Sequence, residues 1–168
     1  MRNLGLLVAR LVLGGYLAVH GAQKLFGAFG GRGLAGTAEG FDRLGLRPAK
    51  AAAVLAGASE FGGGLLTATG IADPLGPLAI AGTMAVAATT HRQKGPLNAK
   101  GGFELPLTNL AGALALLSAG PGKLRLGPAL PRPLRRLAVA GGAMLAGISL
   151  FQLLAPKPPA VPQPPAAT

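Results

Sequence analysis

The chain contains no cysteine and no tryptophan, a single tyrosine, and only five acidic residues against sixteen Lys and Arg. Without thiols it carries no disulfide, thiolate nucleophile, iron-sulfur ligation or thiol redox relay of its own, so any redox work must use a bound carrier or a partner. Charge of either sign is scarce, at 12% of residues, whereas half of the residues are hydrophobic. Mean hydropathy is +0.48, which puts the chain in the membrane class. The alternating polarity of a membrane barrel is also missing, and a backbone in lipid that cannot close into a barrel must satisfy its hydrogen bonds as helix. The expected fold is all-α, a polytopic membrane bundle.

Five apolar stretches approach the roughly 17 to 25 residues that cross a hydrocarbon core. They are Leu4 to Phe26, Ala51 to Ala72, Pro74 to Thr90, Leu105 to Gly120 and Leu137 to Ala155. The third also admits a tilted or partly re-entrant helix. Glycine, with 28 copies, would weaken soluble helices, but in a membrane bundle small residues let backbones approach closely, and Gly62, Gly63 and Gly64 suit a tight crossing. The first stretch departs from a cleaved signal peptide, because Arg10 interrupts its apolar core and no A-x-A site follows.

A net charge of +11 would suggest nucleic acid in a soluble domain. Here the basic residues lie between spans, which points to lipid head groups and not to nucleic acid. With five spans, Arg2, Lys123, Arg125, Arg132, Arg135 and Arg136 share one side, against Arg32, Arg43, Arg47, Lys50, Arg92, Lys94, Lys100 and Lys157 on the other. Such a near-even division leaves the orientation undecided under the positive-inside rule.

Between the first two spans, residues 27–36 read as a flexible glycine-rich segment and Thr37 to Leu44 as a short interfacial helix. Thr37 would cap it, Glu39 and Arg43 would pair, Gly45 would end it and Pro48 would open the next. Residues 123–136 read as a basic loop, 137–155 as an additional transmembrane helix, and 156–168 as a disordered Pro-rich tail.

Ionisable residues within the spans carry the functional argument. A charge at membrane depth costs about 2.5 to 3.5 kcal/mol on insertion scales and persists only where a partner or cavity compensates it. On the helical wheel Lys24 falls about 40° and His20 about 80° from Arg10, with Gly14 and Gly21 on the same side, so this face should point into the bundle. Glu60, about 15 Å into the second span, is the expected partner of Arg10. His20, Lys24, His91 and Glu104 would form a second polar layer near the far end of the first span. Three readings fit these layers: buried ion pairs that fix helix register or ends that snorkel, a quinone or similar redox ligand, and haem or metal ligated by His20 and His91.

The run Arg10, Gly14, then His20-Gly21-Ala22-Gln23-Lys24-Leu25-Phe26-Gly27 resembles the start of DoxX family membrane proteins. Gly45-Leu46, Gly57 with Glu60, Gly62-Gly63, His91, Gly101-Gly102 with Glu104, and Gly120-Pro121-Gly122 follow in order. The resemblance implies a four-helix core over residues 1–122 in a multi-pass protein of the bacterial cytoplasmic membrane. Some members of that family are subunits associated with quinone-linked oxidoreductases, including thiosulfate oxidation. Past Gly122 the chain departs from the pattern, and a fifth C-terminal transmembrane helix is appended to the core.

The reading that follows is a membrane subunit of a quinone-linked oxidoreductase system. Lys24 or His20 would hydrogen-bond a quinone oxygen, Glu60 or Glu104 would relay protons, and a soluble oxidoreductase partner would supply electrons. Histidine suits this because it changes charge within the physiological pH range. The chain is expected to work within a complex or as a homo-oligomer. The rival is a non-catalytic anchor that recruits a soluble partner through its basic loops or tail. A transporter is a third reading, without the inverted repeat that many transporters carry.

Overall fold

The computed structural model describes residues 1–154. Six α-helices appear among the described residues: α1 (Arg2–Phe26), α2 (Gly33–Arg43), α3 (Ala49–Thr69), α4 (Leu75–His91), α5 (Glu104–Ala119) and α6 (Arg132–Leu154). There is no strand among them, so the all-α expectation holds. The expected tail at 156–168, with Ala155, lies outside the described residues.

Close backbone approach sets the packing of α1 on α3. A Cβ added at Gly14 would stand 2.6 Å from the Ala68 nitrogen, and one at Gly64 would stand 2.5 Å from the Ala18 nitrogen. Gly21 meets the backbone of Phe61 in the same way, and Leu25 Cδ2 would be 2.6 Å from a Cβ at Gly57. Small residues thus let the two helices run antiparallel with little side chain between them, as in membrane bundles. Of the three consecutive glycines, Gly64 serves α1, Gly63 meets Ala79 and Gly76 of α4, and Gly62 faces open space.

α4 lies against α3 and α5, α5 closes back onto α1, and α6 rests on α4. Leu17 of α1, Ile80 and Met84 of α4, and Ala113 of α5 form the buried core. Outward, α1 presents Leu4, Val8, Leu11, Val12 and Tyr16, all more than half exposed. A continuous apolar face of this kind belongs against lipid or a partner. Among the described residues, α1 and α3 are the two helices long and apolar enough to cross a membrane, and α5 is a shorter apolar helix. At 17 and 16 residues, α4 and α5 extend about 25 Å, short of the about 30 Å of a hydrocarbon core.

Several local expectations change. The glycine-rich segment is ordered: a 3-10 turn at Ala28–Gly30 leads into α2, which begins four residues before Thr37. Thr37 is therefore interior and no cap, and its Oγ1 donates to the carbonyls of Gly33 at 2.8 Å and Lys24 at 3.2 Å. Glu39 and Arg43 do not pair; Asp42 and Arg47 do, at 3.1 Å. The basic loop at 123–136 divides, because Arg132 already begins α6. Residues 120–131 form an extended strap across the turn between α3 and α4. Leu126 N donates to Thr69 O, Ala72 N to Pro128 O and Leu130 N to Asp73 O, each at 2.9 Å, while Lys123 N reaches Asn3 Oδ1 at 3.1 Å.

The α1–α3 contact can be tested with two neighbouring glycines. Gly64→Ala forces a methyl against the α1 backbone and should destabilise by about 1 to 3 kcal/mol, read as a lower unfolding temperature in detergent. Gly62→Ala, with nothing within 4 Å of the added Cβ, should leave that temperature unchanged or slightly raised.

Candidate functional site

The α1–α3 register decides which charges meet. Facing pairs run Gly14 with Ala68, Ala18 with Gly64, Gly21 with Phe61, and Leu25 with Gly57. Continued, this register sets Glu60 opposite Ala22 and Arg10 opposite Ala72. Glu60 therefore lies within reach of Lys24, and the expected Arg10–Glu60 pair does not form. Lys24 Nζ makes a close salt bridge with Glu60 Oε2 instead. Its two ends differ: the Lys24 side chain keeps 27% of its surface exposed, the Glu60 side chain 5%.

The motif around this pair holds it in place. His20 Nδ1 lies 3.2 Å from Gln23 Oε1, and Gln23 Nε2 donates to the Phe29 carbonyl at 3.4 Å, tying the end of α1 to the turn that follows. Gly31 lets that turn fold against Gln23, where a Cβ would stand 2.5 Å from the Gln23 Cα. Phe26 and Phe61 meet edge to face, with centroids 5.5 Å apart and planes at 86°. The site is thus an ammonium that is open on one side, backed by a sealed carboxylate, near an aromatic pair and an imidazole.

The expected second polar layer is not joined by direct contacts. His91 Nδ1 bonds the Ala87 carbonyl of its own helix at 2.8 Å and lies 3.1 Å from Thr90 Oγ1. Glu104 Oε2 accepts from the Asn98 backbone at 2.9 Å and so organises the loop ahead of α5. No hydrogen bond or ion pair among the described residues links either of them to Lys24 or His20. No cluster of three or more His, Asp or Glu side chains among the described residues is arranged to hold a metal ion.

Arg10 occupies a different centre at the other end of α1, where it is only 3% exposed. Its Nη1 donates to the Pro121 carbonyl, and its Nη2 donates to Leu124 O at 2.7 Å and Ala68 O at 3.3 Å. Gly70, with φ 71°, leaves room for this guanidinium: a Cβ there would stand 2.8 Å from Arg10 Nη1 and 2.9 Å from the Arg125 Cβ. Asp73, overlooked among the sequence candidates, belongs to the same centre. It is 4% exposed, and its Oδ1 has no hydrogen-bond partner among the described residues. Burial pushes its carboxyl above the ordinary value of 3.8, while Arg135, Arg10 and Arg125 pull it back. Asp73 lies in the turn after α3, and the strap folded over that turn is what buries it, so no signal in the sequence marks it.

Arg10 and Asp73 generate separate expectations. Arg10→Lys replaces a planar fork by a single ammonium that cannot span three carbonyls. It should lower stability by about 2 kcal/mol and speed tryptic cleavage after Lys123 or Arg125. For Asp73, a folded value above the unfolded one means that the neutral carboxyl favours folding. That stabilisation is complete below about 3.8 and is lost as pH rises through the elevated folded value. Asp73→Asn should flatten the fall in unfolding temperature over that window; an unchanged profile would assign the pH dependence elsewhere.

The family model described as DoxX matches residues 5–93, just over half of the chain, from α1 through the end of α4. The match includes Arg10, His20, Lys24, Glu60, Asp73 and His91 but stops short of Glu104 and the strap. No curated protein and no solved structure matches the chain. The helical architecture, the glycine-laced α1–α3 contact and the matched residues agree: the chain belongs to the DoxX family of membrane proteins.

Proposed function

We propose that this protein is a multi-pass component of the bacterial cytoplasmic membrane and serves as a membrane subunit of a quinone-linked oxidoreductase system. In this reading α1, α3, α4 and α5 are the four-span core, with the bilayer locally thinned to match α4 and α5, and α6 is the fifth span. The observation that carries the reading is the asymmetry of the Lys24–Glu60 pair, whose ammonium is partly exposed while its carboxylate is sealed. A structural ion pair needs no open side, whereas a group that hydrogen-bonds an entering carbonyl oxygen does.

A bound quinone would supply the two-electron acceptor, with a soluble oxidoreductase as the electron source. Lys24 Nζ would donate a hydrogen bond and then a proton to the quinone oxygen, and Glu60, an ionised carboxylate, would hold the ammonium in place and take up the proton that restores it. His20, one turn before Lys24, would be a second proton donor held in orientation by Gln23. His91 and Glu104 fall outside this mechanism, because each is taken up by its own local backbone. Haem held between His20 and His91 has no such supporting contact.

Glu60→Gln and Lys24→Met should each reduce quinone reduction in membranes by about a hundredfold or more, within the range for losing a proton-transfer group. Both should leave the amount of inserted protein unchanged. The alternative, a non-catalytic anchor, draws on the exposed Arg92, Lys94 and Lys100 between α4 and α5. It predicts intact turnover in both variants and loss of partner recovery when these three are changed to Gln. Unchanged turnover in Glu60→Gln and Lys24→Met overturns the quinone reading.

A further inference from the structure

The six basic residues at the Arg10 end of the bundle meet only one acid. Arg2, Lys123, Arg125, Arg132, Arg135 and Arg136 gather there, and Asp73, the acid of that end, is buried. The other four acids are placed elsewhere: Glu39 and Asp42 on α2, Glu60 within α3, and Glu104 at the far end. The positive charge at this end is therefore uncompensated by the protein.

Three of these residues come together on α6. Arg132, Arg135 and Arg136 occupy successive positions of one helical face, and Val139, Ala140 and Ala143 continue it over the next two turns. The six side chains border a shallow, largely open groove along α6. One end is guanidinium and the other is small and apolar, separated along the axis by about 10 Å between Arg136 and Ala143. Arg135 is partly occupied, since its Nη2 donates to the Leu117 carbonyl at 2.9 Å. Arg132 and Arg136 are exposed and have no hydrogen bond or ion pair among the described residues.

We propose that this groove is a binding site for an anionic phospholipid. The phosphate is held by Arg132 and Arg136, and the acyl chain descends along Val139, Ala140 and Ala143. The charge matches, because guanidinium recognises phosphate through paired N–H donors. The polarity gradient matches too: a basic ring at head-group depth above an apolar wall is what one lipid molecule presents in reverse. A soluble phosphate would use the arginines but gain nothing from the wall.

The test uses the full-length protein in detergent, titrated with phosphatidylglycerol or phosphatidylcholine and read by native mass spectrometry. Wild type should retain phosphatidylglycerol in preference to phosphatidylcholine. The double variant R132Q/R136Q should bind it about tenfold more weakly or worse, as expected for removing two cations that face an anionic head group. K94Q/K100Q makes the same change in net charge at the opposite end and should bind as wild type does. Ala140→Glu, which leaves every arginine in place, should also weaken binding by placing an acid in the groove. Equal losses in R132Q/R136Q and K94Q/K100Q would overturn the proposal in favour of diffuse charge attraction. Displacement of the lipid by inorganic phosphate at millimolar concentration would overturn it in favour of a free phosphate site. Neither outcome bears on the Lys24–Glu60 reading, which concerns quinone reduction.

Discussion

The close contact between α1 and α3 is the constraint on which the rest of this protein depends. Glycine at Gly14, Gly21 and Gly64 lets the helices meet backbone to backbone, and Gly57 makes room for the Leu25 side chain, so their relative register cannot slide without collision. Once that register is fixed, the surroundings of the charges inside the bundle are fixed with it. Lys24 is delivered to Glu60, and Arg10 is carried past the end of α3 to the strap. The packing decides the electrostatics, and not the reverse.

Arg10 shows why a charge persists inside such a fold. Three carbonyls take its donors, two of them from the strap, which has no helix of its own to satisfy them. The guanidinium thereby closes the end of the bundle, and the strap adds backbone bonds across the turn that contains Asp73. Removing such an anchor leaves its acceptors unpaired in a poorly solvated place, which costs more than the bonds themselves contribute in water.

Much of the helical architecture was legible in the sequence, because long uncharged runs in lipid have few alternatives. The helices begin and end within a few residues of the expected limits, apart from α6, whose first turn is basic and was read as loop. The face carrying Arg10, Lys24, Gly14 and Gly21 does point inward, since periodicity alone defines a face. Partner choice was not legible. Depth in the span suggested Arg10 with Glu60, but two antiparallel helices must be aligned before any depth on one corresponds to a depth on the other. Asp73 escaped notice for a related reason: it lies in a turn, and only the fold of the strap over that turn buries it. Glu104 and His91 were grouped with Lys24 by shared boundary, yet short-range backbone acceptors and donors claimed both first.

The two cations of α1 also differ in what they can do. A guanidinium is a planar fork that stays protonated in proteins, suited to bridging several fixed carbonyls and unsuited to passing a proton. An ammonium is a compact charge on a flexible stem that can hold a carboxylate with one hydrogen and offer another outward. In this protein Arg10 is enclosed and bound to backbone, whereas Lys24 has a side open to the surroundings and only one acidic partner. Chemistry and exposure therefore divide the labour the same way. The Arg10 end is enclosed by backbone acceptors, and the Lys24 end is the one that keeps a side open.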